Sequence, residues 1–137
     1  MKHNVMLTIA SLLSILFMSF HHADDVVRGM APGKLSNLVP VIFLGVWLYG
    51  TMLVLAEKRS GYVIVLVLSL LGMGIPVLHM TGTGLVGGDI ASSSGAFFFV
   101  WTLIALGMTT FFSVILSARG LWSLQRGKSR LVQQPEL

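Results

Sequence analysis

Cysteine is absent from this chain of 137 residues, and charged residues make up only 10% of it. Without a thiol, the protein cannot hold a disulfide, a thiolate metal site or a cysteine-ligated iron–sulfur cluster. A soluble domain usually has about 25% charged residues, so this chain has too little charge to cover a water-soluble fold. The absence of cysteine excludes disulfide-rich secreted scaffolds, and the low share of charged residues favours a membrane protein.

The apolar residues that replace the missing charge lie in four long uncharged runs, at 4–20, 35–56, 60–78 and 90–118. Hydrophobic residues make up 55% of the chain, and its mean hydropathy is +0.87. A helix needs about 20 apolar residues to cross a bilayer core of about 30 Å. A membrane β-barrel would instead show short alternating segments. The sequence therefore predicts an all-α integral membrane four-helix bundle.

Local signals give the bounds of the predicted spans. Gly29 is expected to end the first helix, Ser36 or Asn37 to cap the second, and Pro76 to kink the third. The predicted spans cover 4–27, 36–56, 62–80 and 96–118 within one membrane domain, 1–118, followed by a basic cytoplasmic tail, 119–137.

Lysine and arginine are placed unevenly along the chain. With up-down-up-down topology, the N-terminus, the turn at 57–61 and the tail share one side of the membrane, and seven of the nine basic residues lie there. Basic residues gather on the cytoplasmic side of membrane proteins. We therefore expect both termini in the cytoplasm of a bacterial cell whose inner membrane holds this multi-pass protein. Basic residues at helix ends mark topology and do not indicate a nucleic-acid surface.

This topology predicts a cluster of polar residues at one depth. The first and third helices both run outward, so their final residues should meet near the outer face. The cluster comprises His21, His22, Asp25 and His79, with Asp24 and Asp89 as further candidates. Imidazole and carboxylate ligands suit divalent zinc, copper, iron or nickel. A metal or proton site is the chemical hypothesis, with His21 and His22 about 100° apart around the helix.

Other interpretations of the same residues stay open. Polar residues at a helix end also mark where the membrane stops, and Asp–Arg pairs there are ordinary surface ion pairs. A haem held between the first helix and His79 is a further alternative. No tight ligand motif such as H-E-x-x-H is present.

Two features argue against particular functions. No charge lies deep in any predicted span, whereas proton-driven exporters usually carry an acid there. Gly82, Gly84 and Gly87 match G-x-G-x-x-G, but they follow a membrane helix and not a strand, so we expect no nucleotide.

Trp47 and Tyr49 lie near the middle of the second predicted helix. Interfacial aromatics would lie at helix ends, so these two residues are interpreted as filling a core, with a ligand or quinone pocket as the alternative. The Phe97–Phe99 run is assigned to the outer interface.

Together these features predict a small multi-pass membrane protein that acts as a binding or accessory component, with an outward-facing His/Asp site. Enzymatic activity is not favoured. The expected partners are the lipid bilayer and either a second copy of the chain or another membrane protein. The alternatives are a small oligomeric transporter and a haem- or quinone-linked redox subunit.

Overall fold

The computed structural model describes residues 3–29, 38–81 and 95–132, and every structural statement below concerns these ranges. They form four α-helices and no strand: α1 His3–Val27, α2 Leu38–Leu55, α3 Arg59–Thr81 and α4 Ala96–Val132. The predicted cap at Ser36 or Asn37, the glycines at 82–87 and Asp89 lie outside the described residues.

All four helices are long and apolar enough to cross a membrane, as their lengths and compositions show. Their large apolar side chains are mostly exposed on the outside of the bundle, whereas many buried positions hold serine or threonine. Lipid can cover apolar side chains, so this distribution is compatible with a protein that spans a membrane. Small hydroxyl residues between the helices allow their backbones to approach closely.

Helices that follow one another in the chain pack side by side, and α4 also packs against α1. α1 lies against α2 and α4, and α3 lies against the same two helices, whereas α1 and α3 touch only slightly across the bundle. The main apolar core comprises Leu7, Trp47, Val54, Tyr62, Val65 and Leu68. A buried hydrogen bond of 2.7 Å between the hydroxyls of Ser11 and Thr51 joins α1 to α2.

Contacts at each end of the bundle show which helix ends lie together. At one end, the His3 Nε2 lies 2.8 Å from the Leu116 carbonyl oxygen, and the Asn4 amide donates to Glu57 at 3.2 Å. At the other end, His21 of α1 meets His79 of α3.

A tight turn joins α2 to α3. The Lys58 N–H donates to the Leu53 carbonyl and the Glu57 N–H donates to that of Val54, at 3.0 and 2.9 Å. Glu57 has a φ of 55°, so this is a left-handed helix cap with the Schellman pattern. Gly61 then lies against α2, where an added Cβ would come within 2.5 Å of the Val54 nitrogen. Only glycine allows this approach.

Two helices extend further than the sequence indicated. α3 begins at Arg59, before the predicted Tyr62, and α4 continues through the basic segment to Val132. Leu121 and Leu124 of that extension pack on the main core. These contacts stabilise the helical conformation of the segment, although it contains Gly120.

The expectation for Trp47 and Tyr49 is half correct. Trp47 is buried, whereas Tyr49 is 61% exposed on the outside of the bundle. Residues two positions apart point about 200° apart on a helix, so one helix face cannot bury both of them. The prediction of Tyr49 as a core residue was therefore wrong.

Candidate metal site

The end of α1 is held in a defined shape. The last turn closes through the Arg28 N–H, which donates to the Asp24 carbonyl at 2.9 Å, and the Gly29 N–H, which donates to that of Val26 at 3.1 Å. Gly29 has a φ of 70°, which is the left-handed cap that the sequence predicts. This cap fixes the last helical turn, on which Asp25 lies one turn after His21.

Three potential ligands converge at this end of the bundle. The His21 Nε2 lies 3.1 Å from the His79 Nε2 and 3.4 Å from the Asp25 Oδ2. Across the three residues, one potential ligand atom from each lies within 4.8 Å of the others. His21 and Asp25 are four residues apart on one face of α1, and His79 reaches them from α3.

The two imidazoles rest on an aromatic ring from a third helix. His21 and His79 meet edge to face, with ring centres 4.8 Å apart. The ring of Phe99, which is fully buried on α4, lies 5.5 Å from the His21 ring and 5.1 Å from that of His79. Phe99 therefore closes the α4 side of the cluster. The sequence predicts the outer interface for the Phe97–Phe99 run, but Phe99 is buried against the histidines, and the sequence pattern does not indicate this role.

Asp24 and Arg28 form a separate ion pair beside the cluster. The Arg28 Nε donates to the Asp24 Oδ2 at 2.7 Å, and the guanidinium lies 5.8 Å from the centre of the Phe99 ring. Because Asp24 is engaged with Arg28, the acid that faces the two histidines is Asp25. The spacing along the helix alone allows Arg28 to pair with either Asp24 or Asp25.

Two buried polar atoms of the cluster have no hydrogen-bond partner among the described residues, the His21 Nδ1 and the Asp25 Oδ1. The side chain of His21 is only 3% exposed. Buried polar atoms without a partner are costly, so water, an ion or a ligand at this position would stabilise the arrangement.

A cavity of about 490 Å³ opens beside the three ligands, between α1, α2 and α3. His21, Asp25 and His79 line one end of it, together with His22. His22 is half-buried and is not among the three residues whose ligand atoms converge. The two adjacent histidines point about 100° apart on α1, and His21 is the more deeply buried of the two.

The distances suit a metal ion of the size of zinc. With zinc–ligand distances of about 2.0 Å, neighbouring ligand atoms of a tetrahedral site lie about 3.3 Å apart. The two separations from the His21 Nε2, 3.1 and 3.4 Å, bracket that value, and the ligand atoms of all three residues lie within 4.8 Å of one another. Three protein ligands leave at least one position for water or another ligand, as in zinc sites that are open to solvent.

Comparisons of the chain with protein-family profiles, with curated proteins and with solved structures found no match.

Proposed function

We propose that this protein is a small multi-pass protein of the bacterial inner membrane that binds a divalent transition-metal ion through His21, Asp25 and His79. The convergence of these three side chains from two helices, α1 and α3, carries the proposal. Two imidazoles and one carboxylate form a ligand set used for zinc and for non-haem iron. The protein acts as a metal-binding or accessory component of the membrane.

The proposed topology places this site at the periplasmic face. The helices run up-down-up-down, both termini lie in the cytoplasm, and α1 and α3 end outside. The excess of basic residues at the opposite end supports this orientation. The metal then comes from the periplasm and reaches its ligands without crossing the bilayer.

The contact between the imidazoles favours a bare ion over a haem. A haem would place its macrocycle between the two histidines, but their Nε2 atoms lie only 3.1 Å apart. Their rings also touch edge to face and both rest on Phe99. A small ion needs only a slight rearrangement of the same side chains.

The test is a zinc titration of protein purified in lipid nanodiscs after removal of metal with a chelator. Competition with a coloured zinc indicator should give one zinc per chain. His21→Ala and His79→Ala should each weaken binding at least tenfold, because each removes one of three ligands. His22→Ala is the matched control, because His22 lines the same cavity without joining the three ligands.

Circular dichroism and gel filtration establish that each variant is folded. Zinc binding that is equal in the wild type and in His21→Ala and His79→Ala would overturn the proposal. If no zinc, iron, copper or nickel ion binds, and the cluster only exchanges protons with the medium, a proton site takes the place of the metal site.

A further inference from the structure

A wide groove lies at the end of the bundle opposite the metal ligands. It has a volume of about 1090 Å³ and lies between the start of α1, the turn from α2 to α3, and the far part of α4. Its lining is mostly polar or charged and includes His3, Asn4, Glu57, Tyr62, Arg119 and Arg126. These residues define the basic groove.

The bottom of the basic groove is an aromatic ring packed against a glycine. Tyr62 of α3 is only 5% exposed, and a Cβ added at Gly120 of α4 would collide with its ring. The same Cβ would lie 3.3 Å from the Nε2 of His3, which is 2.8 Å from the Leu116 carbonyl oxygen. α1, α3 and α4 therefore meet closely beneath the groove, and the packing of the bundle fixes its shape.

The charges that line the basic groove do not balance. Arg119 and Arg126 have no ion-pair partner among the described residues, whose ion pairs are those of Asp24 and Asp25 at the other end. Glu57 accepts a hydrogen bond from the Asn4 amide at 3.2 Å. Two arginines and one glutamate leave one net positive charge when His3 is neutral, so a bound anion would neutralise the groove.

The two arginines share one face of α4 with a tryptophan. Arg119, Trp122 and Arg126 are three and four residues apart, the spacing of neighbours on one helix face. The Arg126 guanidinium lies on the Trp122 ring, with its Cζ 4.1 Å from the ring centre. Stacking occupies the flat face of a guanidinium and leaves the N–H groups at its edge available, and these match the oxygens of a phosphate.

The same face of α4 continues toward the middle of the bundle as an apolar surface. Ile115, Phe112 and Met108 precede Arg119 by four, seven and eleven residues, which places them on that face. They are 39%, 51% and 53% exposed. Trp122 is 58% exposed, and tryptophan favours the level of the lipid headgroups. The neighbouring surface therefore suits a phosphate that carries hydrocarbon chains.

We propose that the basic groove binds the headgroup of an anionic phospholipid. Arg119 and Arg126 are about 10 Å apart along the helix, so their long side chains can reach one phosphate from both sides. The acyl chains lie along the apolar face of α4 that continues below Arg119. In the proposed topology this end is cytoplasmic, where anionic lipids attract basic residues beside a membrane helix.

This inference goes beyond the proposed metal binding and uses none of its ligands, because no residue that lines the basic groove belongs to the metal site. Either proposal can therefore fail without the other. Zinc binding by a protein that retains no lipid would overturn only the inference drawn here.

The experiment is native mass spectrometry of the full chain in a neutral detergent, titrated with phosphatidylglycerol. We expect one tightly bound lipid per chain. Arg119→Gln and Arg126→Gln should each weaken its binding about fivefold, the equivalent of about 1 kcal/mol per basic residue beside an anionic lipid. Arg59→Gln is the matched control and should leave binding unchanged, because Arg59 is exposed at the same end of the bundle but does not line the groove.

A second pair of variants tests the groove without removing a charge. Ser123→Trp places a large ring in the groove and should abolish lipid binding, whereas Ala118→Trp, at an exposed residue of α4 outside the groove, should leave it intact. Equal binding in these two variants would overturn the inference, as would equal losses in Arg59→Gln and the two groove variants.

Two competitors test the identity of the occupant. Phosphatidylethanolamine carries an ammonium group that suits Glu57, and we expect it to bind more weakly than phosphatidylglycerol because it leaves the positive charge of the groove unbalanced. Equal binding of the two lipids would overturn the choice of an anionic headgroup. Displacement of the lipid by inorganic phosphate would indicate a site for a soluble anion and would overturn the assignment to lipid.

Discussion

The Nε2 atoms of His21 and His79 lie 3.1 Å apart, although 58 residues separate them in the chain. α1 and α3 otherwise touch only slightly across the bundle. This contact therefore joins two diagonal helices at the end of the bundle where Asp25 also lies.

Zinc affinity should fall as the pH is lowered. Imidazole binds metal in its neutral form, so protons compete with zinc for the histidine ligands. Each ligand that must release a proton when zinc binds should reduce the apparent affinity about tenfold per pH unit of acidification. Indicator titrations at a series of pH values measure the slope. Affinity that is constant or increases toward low pH would contradict histidine ligation.

Asp25 and Asp24 should differ sharply in their effect on metal binding. Asp25→Asn removes the charge of a carboxylate that lies 3.4 Å from His21, and we expect zinc affinity to fall at least tenfold. Asp24→Asn disrupts only the ion pair with Arg28 and should change the affinity less than threefold. Competition titrations of the two variants give the comparison, and similar losses in both would show that general negative charge is responsible.

Gly61 should be a critical position for the packing of α3 against α2. In Gly61→Ala the new Cβ would come within 2.5 Å of the Val54 nitrogen, and such overpacking costs about 1–3 kcal/mol. Gly45→Ala is the control, because its Cβ would meet nothing within 4 Å. Thermal unfolding in detergent should show a lower midpoint for Gly61→Ala only. Equal midpoints would mean that α2 and α3 are further apart.

The hydroxyls of Ser11 and Thr51 should be coupled. They lie 2.7 Å apart between α1 and α2, and interhelical hydrogen bonds in membrane proteins contribute about 0.6 kcal/mol on average. A double-mutant cycle of Ser11→Ala and Thr51→Val should give a coupling energy of that size. Strict additivity of the two single variants would place α1 and α2 out of contact at this level.

Reporter fusions test the proposed orientation. A cytoplasm-active reporter at either terminus should be active, and a periplasm-active one should be silent. The uneven placement of basic residues gives this expectation. A periplasm-active signal from the C-terminal fusion would reverse the proposed topology and place the metal ligands on the cytoplasmic side.

The four helices could be predicted from the sequence because hydrocarbon imposes a severe constraint. Backbone groups in lipid must bond within the chain, so long uncharged runs can only be helices. The meeting of His21 and His79 could be anticipated as well, because consecutive antiparallel helices bring the ends of α1 and α3 to one depth. Only the geometry distinguishes His21 from His22 and Asp25 from Asp24.

Other features depend on the packing of side chains between helices, which the hydrophobic periodicity of the sequence does not reveal. Phe99 belongs to a run of three phenylalanines, and only its position on α4 decides that it lies beneath the histidines. The cavity arises because α2 packs closely only from Trp47 onwards. The extension of α4 depends on the contacts of Leu121 and Leu124 with the main core, which a basic and glycine-containing sequence does not reveal.

X-ray absorption at the zinc edge, on zinc-loaded protein in nanodiscs, tests the metal site most directly. It should show two imidazole nitrogens and at least one oxygen at about 2.0–2.2 Å from the metal. His79→Ala should reduce the imidazole signal to one ring. A spectrum with only oxygen ligands, or one unchanged in His79→Ala, would contradict zinc binding between the ends of α1 and α3.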